Sequence, residues 1–209
     1  MRRILYLAIA AFVIIALVPA LKAIDDPFAR QITPEMRAML QNDPGAPVLG
    51  NPDGDITLVE FTDYNCGFCR RSQPEIAQLL ALAPDLRLVI RELPVFGPGS
   101  RFAAEAALAA DMQGEYPQFH AALMAMNGRA DRISVLREAH RLGMDLARLQ
   151  HDMSQPAVAD HIAQSLHLAE EMEIMGTPTW VIGDRVIFGF LPADELSEVI
   201  AEARAARKE

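Results

Sequence analysis

Cys66 and Cys69 are the only cysteines in a chain of 209 residues. They stand three apart in Asn65-Cys66-Gly67-Phe68-Cys69-Arg70-Arg71. A disulfide that staples a fold closes a long loop, because that removes the most freedom from the unfolded chain. A bridge across two residues removes almost none, so the pair is better explained by reactivity. With Cys66 opening a helix, unpaired backbone N–H groups and the positive end of the helix dipole favour an anion on its sulfur. Arg70 and Arg71 add positive charge nearby. A lowered thiol pKa supplies the thiolate, the species that attacks disulfides. Cys69, one turn further on the same face, is placed to resolve a mixed disulfide. Cys66 then attacks and Cys69 resolves.

Thiol–disulfide exchange needs no flavin, nucleotide or metal; the redox group is the Cys66–Cys69 disulfide itself. Two other uses of the spacing compete with this one. Half a zinc site needs further ligands at recognisable spacing, and His120, His140, His151, His161 and His167 all lie far along the chain. They are given no role, and no metal is assigned. An inert structural disulfide meets the entropy argument above.

The elements that must position these sulfurs are legible. Residues 56–61 read as a buried strand that contains one acid, Glu60. A helix runs over 66–82 and stops at Pro84. Residues 86–93 form a second strand, carrying Arg91, which ends at Pro94 and the Gly97-Pro98-Gly99 turn. From about 100 to 175 the composition turns to Ala, Leu, Met and Glu at helical spacing. Breakers at Gly114, Gly128, Gly143 and Pro156 divide this stretch into about five helices, whose methionines read as core filling. Met112, Met124, Met126 and Met175 also qualify as lining for a groove that holds unfolded clients. Strand character returns at 179–182 and 186–188 around a Gly183-Asp184 turn. Residues 192–206 close the chain as a helix.

About half of the residues are apolar and the net charge is −9, or −12 without Arg2, Arg3 and Lys22. So acidic a surface argues against nucleic acid as a partner. Residues 1–23 carry a basic start, an apolar run from Ile4 to Leu21 and small residues at its end, the layout of a secretory signal peptide. The run is also barely long enough for an uncleaved membrane anchor. Either places residues 24–209 in the periplasm or its equivalent, outside the cytoplasm. Residues 24–50 form a leader with a short helix at 34–41, and residues 51–209 form the main domain.

Phe61-Thr62-Asp63-Tyr64-Asn65-Cys66-Gly67-Phe68-Cys69-Arg70-Arg71, together with Gly176-Thr177-Pro178-Thr179, resembles the DsbA family of the thioredoxin superfamily. The resemblance runs from about Val48 to the C-terminus. It implies an α/β, thioredoxin-like fold with an inserted helical domain at about 100–175. It implies a cis Thr177–Pro178 peptide bond across from Cys66, forming a groove for extended substrate backbone, and a Pro74 that bends the active-site helix. It also implies that Glu60 is a buried acid under the disulfide, with Arg91 as its partner; the alternative is a solvent-facing Glu60 at a strand end. Asn65 is a candidate cap for the helix.

The activity implied is a protein disulfide oxidoreductase that oxidises cysteine pairs of exported proteins and passes the electrons to a membrane redox partner, working as a monomer. Gly67 and Phe68 stand where the strongest oxidants of the family carry Pro-His. The direction of electron flow is therefore open, with an isomerase or reductase kept in the dithiol form as the alternative. A redox-inert, chaperone-like binding module is the reading from a different class.

Overall fold

A computed structural model describes residues 32–207. The 1–23 segment and the signal or anchor assigned to it lie outside the described residues. Thr33 starts the first helix, α1 (Pro34–Gln41), its hydroxyl accepting the Met36 N–H at 3.2 Å. There follow β1 (Val48–Gly50), β2 (Ile56–Thr62), α2 (Gly67–Leu82) and β3 (Leu86–Glu92). Five helices come next: α3 (Pro98–Asp111), α4 (Tyr116–Ala125), α5 (Arg132–Arg141), α6 (Leu146–Asp152) and α7 (Pro156–Glu171). The chain closes with β4 (Thr179–Ile182), β5 (Arg185–Phe188) and α8 (Ala193–Ala206). This is the thioredoxin-like arrangement with helices inserted between β3 and β4.

The strands form one sheet in the order β1-β3-β2-β4-β5. β2 and β3 are parallel, joined by α2 as the crossover, and the other pairs are antiparallel. Because side chains alternate along a strand, the register sorts the sheet into two faces. Leu58, Leu88, Ile90, Trp180 and Ile182 share one core with Cys69, Ile76 and Leu79 of α2 and Leu196 and Ile200 of α8. Val59, Phe61, Val89 and Val181 share the other with Leu40 of α1 and Leu168 and Ala169 of α7.

That sorting corrects one expectation. Phe61 stands beside Arg91 and Glu60 beside Ile90, so Glu60 and Arg91 point to opposite faces and are not partners. Arg91, with a fully buried side chain, pairs instead with Asp43 at 2.7 Å and donates to the Gln164 side chain at 2.7 Å. The same Asp43 oxygen accepts from His161 Nδ1 at 2.8 Å. His161 Nε2 in turn accepts the Glu92 backbone N–H at 3.3 Å.

A second difference follows. The boundary drawn at residue 51 leaves out Asp43 and β1, yet β1 is the edge strand of the sheet and Asp43 anchors Arg91. A three-residue strand is too short to show alternation in sequence.

Asp43 joins three segments, and its carboxyl reflects this. Burial works to raise its pKa, but the His161 hydrogen bond, the Gly45 N–H and the Arg91 charge outweigh it and hold it at about 2. A depressed carboxylate stabilises the fold above its ordinary value of 3.8, and that stability is lost as pH falls through about 2. Asp43→Ala leaves a buried guanidinium uncompensated and should cost about 3–5 kcal/mol at neutral pH. Asp184→Ala, which removes the exposed Arg37–Asp184 pair, should cost under about 1 kcal/mol. Denaturant midpoints at pH 7 measure both, and equal costs would refute the assignment.

Candidate active site

Cys66 is the N-cap of α2, with extended backbone. A capping side chain accepts from the first-turn N–H groups, and here the cap atom is sulfur: Cys66 Sγ accepts the Cys69 N–H at 3.4 Å. On its other side the thiol donates to the Thr177 carbonyl at 3.1 Å. The Thr177–Pro178 peptide bond is cis, and it leads into β4, which is paired with β2. The central pair of antiparallel strands thus delivers the proline loop to the head of α2.

Both cysteines are free thiols, and the two sulfurs are unequal. The Cys69 thiol, donating to Cys66, together with the first-turn N–H groups, draws Cys66 down from 9.0 to about 6 against the opposing effect of burial. Burial pushes Cys69 the other way, and the neighbouring Cys66 and Glu60 reinforce it. One sulfur is therefore prepared as an anion and the other keeps its proton, the division of labour that exchange through a mixed disulfide requires.

The loop before Cys66 is fixed by a buried acid. Asp63 accepts from the Asn65 N–H at 2.7 Å, the Ser100 hydroxyl at 2.7 Å, and the Val95 and Phe96 N–H groups at 2.8 and 3.2 Å. Asn65 does not cap α2. Its side chain grips Ala130 of the insertion, donating to the carbonyl at 3.0 Å and accepting the N–H at 2.8 Å.

Arg70 and Arg71 also act differently from their sequence reading. Arg70 donates to the carbonyls of Tyr64, Met126 and Gly128 at 2.7, 3.0 and 2.6 Å. Arg71 lies over the Phe190 ring, 4.2 Å from its centroid. Their guanidinium groups tie loops together; the Arg70 charge still interacts with Cys66, but the second thiol and the helix N–H groups are what contact the sulfur.

Beneath the pair, Glu60 is fully buried, and so is a second acid, Glu92. Burial pushes Glu60 up to about 8 against a hydrogen bond from Thr62, and the charges of Glu92 and Cys66 add to the rise. Burial also pushes Glu92 up to about 8, here opposed by hydrogen bonds from Tyr64 and Tyr116.

The structure brings Cys66, Cys69, Thr177, Pro178 and Glu60 to one end of the sheet and sends Arg91 to the opposite face. Gly67 has open space around the position of a Cβ. Phe68 is 60% exposed beside the thiols and Met175 is 96% exposed before the proline loop. Met124, in contrast, is core. The sequence places Asp63 only as a residue at the rim of the active site, and Glu92 and the buried His120 go unassigned. An acid directly after Arg91 at the end of an apolar strand is the one available signal for Glu92, and nothing in sequence points to His120.

A family model described as a DSBA-like thioredoxin domain matches residues 57–201. A thioredoxin-like oxidoreductase from Silicibacter pomeroyi DSS-3 superposes with a TM-score of 0.79 at 50% identity, covering 81% of this chain and 98% of that one. Disulfide bond formation protein D of Bacillus subtilis is 30% identical over 75% of this chain and 76% of its own length. The Na(+)/H(+) antiporter NhaA 3 of Salinispora tropica is 32% identical over 77% of this chain. The matching stretch spans only a quarter of that antiporter's length.

Ultraviolet absorbance of the reduced protein should show one thiolate forming with a midpoint near 6, absent in Cys66→Ser. Cys69→Ala removes the donor thiol and should move the midpoint up toward the ordinary cysteine value of about 8.5. A wild-type midpoint already at that value would refute the cap geometry as the source of the thiolate.

Proposed function

Since the chain belongs to the DSBA-like thioredoxin domain family, we propose that it is a protein disulfide oxidoreductase in which Cys66 attacks and Cys69 resolves. The observation that carries this reading is the unequal dithiol. One sulfur is held as an anion at a helix cap, the other keeps its proton in the core, and both stand beside a cis-proline loop.

A client disulfide or thiolate meets Cys66 in the gap between the α2 cap and Thr177. Phe68 and Met175 offer apolar surface there for whatever chain carries the client sulfur. Recognition of this kind rests on backbone and general apolarity, which suits many unfolded clients. Residues 24–209 work outside the cytoplasm, where client cysteines are oxidised. The basic start and apolar run of residues 1–23 support this placement.

The role that fits best is dithiol oxidase. A stabilised thiolate favours the reduced enzyme, which makes the Cys66–Cys69 disulfide an electron acceptor. The reduced enzyme then requires a membrane redox partner to restore the disulfide. The Bacillus subtilis relative bears a name for disulfide bond formation, which supports the same direction. One observation favours the alternative of an isomerase or reductase. A thiolate forming near 6 lies closer to thioredoxin, at about 7, than to DsbA, at about 3.5.

Equilibration of the purified protein with glutathione redox buffers yields the potential of the Cys66–Cys69 pair. The oxidase role predicts a value between those of DsbA and protein disulfide isomerase, about −120 to −180 mV. A value at or below thioredoxin's, about −270 mV, would assign the reductase role instead. Cys66→Ser should abolish turnover of a reduced model client. Full activity in that variant would overturn the whole reading.

A further inference from the structure

Two fully buried carboxyls, Glu60 on β2 and Glu92 at the end of β3, share the face of the sheet that α2 covers. Thr62 stands beside Glu92 and Glu60 beside Ile90, so the acids are diagonal neighbours on adjacent strands. Two like charges at such a spacing in a dry core do not form together at low cost. Their surroundings decide which one takes the charge.

Around Glu92 the proton inventory closes in one way. Its Oε1 accepts from the Tyr64 hydroxyl at 2.7 Å and the Tyr116 hydroxyl at 2.9 Å. His120 Nδ1 lies 2.9 and 3.1 Å from the same two phenol oxygens. Each phenol has one proton and gives it to Glu92, so Nδ1 carries the proton between the ring and the phenols. Burial drives His120 down to about 3, which leaves the ring neutral at pH 7. Its Nε2 is then an acceptor, and the Gln73 amide nitrogen lies 3.0 Å away.

Every donor therefore points one way: Gln73 to His120, His120 to the phenols, the phenols to Glu92. Charge-assisted hydrogen bonds of this kind are the strong ones. Glu92 Oε2 has no partner among the described residues, and Glu60, beside the Thr62 hydroxyl that acts to lower it, has no chain of donors behind it among those residues. The other polar groups facing the pair are Thr62 of β2, Asp63 from the β2–α2 loop and Cys66 and Cys69 from α2. Trp180 of β4 and Leu196 and Ile200 of α8 close the same core with apolar surface.

We propose that Glu92 is a positioning residue for the exchange reaction: it carries the negative charge of the acid pair and thereby holds Glu60 protonated beside the two cysteines. The inference rests on Cys66 and Cys69 being the reacting pair. In the oxidative direction a client thiolate attacks Cys66 Sγ and forms the mixed disulfide. The Cys66–Cys69 bond breaks, its electron pair leaves on Cys69 Sγ, and the Glu60 proton passes to that sulfur. A second client thiolate then attacks the client sulfur of the mixed disulfide, and Cys66 leaves as its thiolate. The client has lost two electrons, the active-site disulfide has gained two, and Glu60 is reprotonated from solvent. A Glu60 already ionised would have no proton to give, and its charge would oppose the departing Cys69 thiolate.

The order of ionisation is measurable in the wild-type protein. Carboxyl-labelled glutamate in the reduced full chain, followed by NMR, should show Glu92 titrating at lower pH than Glu60. In Glu92→Gln the Glu60 midpoint should fall by about one pH unit, a tenfold change in proton affinity. In Tyr116→Phe the two midpoints should draw together.

The rate at which dithiothreitol reduces the Cys66–Cys69 disulfide should lose its proton-donating limb at correspondingly lower pH in Glu92→Gln. That displacement should vanish in a Glu60→Gln background, which a merely structural role for Glu92 would not produce. Glu60 titrating below Glu92, or an unmoved Glu60 midpoint in Glu92→Gln, would overturn the proposal. The wild-type order stands as a test even where a variant fails to fold. Because it is read without turnover, its failure would leave the dithiol reading intact.

Discussion

The carboxylate of Asp63 is the interaction on which the reactive end depends. It is buried at the point where β2 stops, and it accepts four hydrogen bonds from three places in the chain. A buried carboxylate without partners would be strongly disfavoured, so those donors must be present together or not at all. Two of them, the Val95 and Phe96 N–H groups, fix the loop that leaves β3. The Ser100 hydroxyl fixes the start of α3, and the Asn65 N–H fixes the turn that lifts Cys66 into the cap position. Cys66 itself is tied to the same residue, its N–H donating to the Asp63 carbonyl at 3.1 Å. The helical insertion is therefore part of the scaffold that holds the attacking sulfur. Its approach is close: a Cβ on Gly99 would stand 3.4 Å from the Asn65 amide nitrogen.

The sheet carries a second division, between two buried polar systems that share only its backbone. On the α1 and α7 face, Arg91, Asp43, His161 and Gln164 form a compensated ionic cluster that joins three segments. On the α2 face, Glu60, Glu92, Tyr64, Tyr116 and His120 form a cluster whose two carboxyls burial pushes well above the ordinary carboxylate range. The point of contact is the Glu92 N–H, which His161 accepts from the other face. One residue thus belongs to structure through its backbone and to the active site through its side chain. Buried polar clusters are costly unless satisfied. The ionic cluster is largely satisfied, whereas on the active face Glu92 Oε2 has no partner among the described residues and Glu60 has no chain of donors behind it there. That asymmetry is what separates a stabilising cluster from a poised one.

Much of this was legible in sequence. Strands of seven residues with continuous apolar runs, a long amphipathic helix between them and a Thr-Pro at the head of a hairpin survive any local rearrangement, and their order gave the fold. The cysteine pair gave the chemistry. Glu60 was legible as an acid on a buried strand. Its supposed partner was not, because the faces that Glu60 and Arg91 occupy depend on the register between β2 and β3. A shift of one residue exchanges the faces, and no pattern within either strand reports that register. His120 and His161 were invisible for a related reason. A histidine on an amphipathic helix has the same spacing whether it packs, caps or completes a hydrogen-bonded chain, and what distinguishes these two is the residue opposite.

The arginines after the second cysteine show how proximity in sequence can mislead about electrostatics. Charge adjacent to a thiol in the chain suggests a guanidinium in contact with the sulfur, but a guanidinium on a long stem goes where carbonyls need donors and acts on the sulfur through charge alone. Arg70 satisfies three carbonyls and joins the active-site loop to the insertion, and Arg71 stacks on Phe190. The thiolate rests chiefly on Cys69 and the backbone of α2, with the Arg70 charge acting on it from a distance, and the cap contacts are features that any chain with this helix cap shares. Whatever distinguishes this active site from others with the same cap must then come from groups that the cap does not supply. These are the exposed Phe68 between the cysteines and the pair of acids beneath them, of which Glu92 alone is reached by a chain of donors.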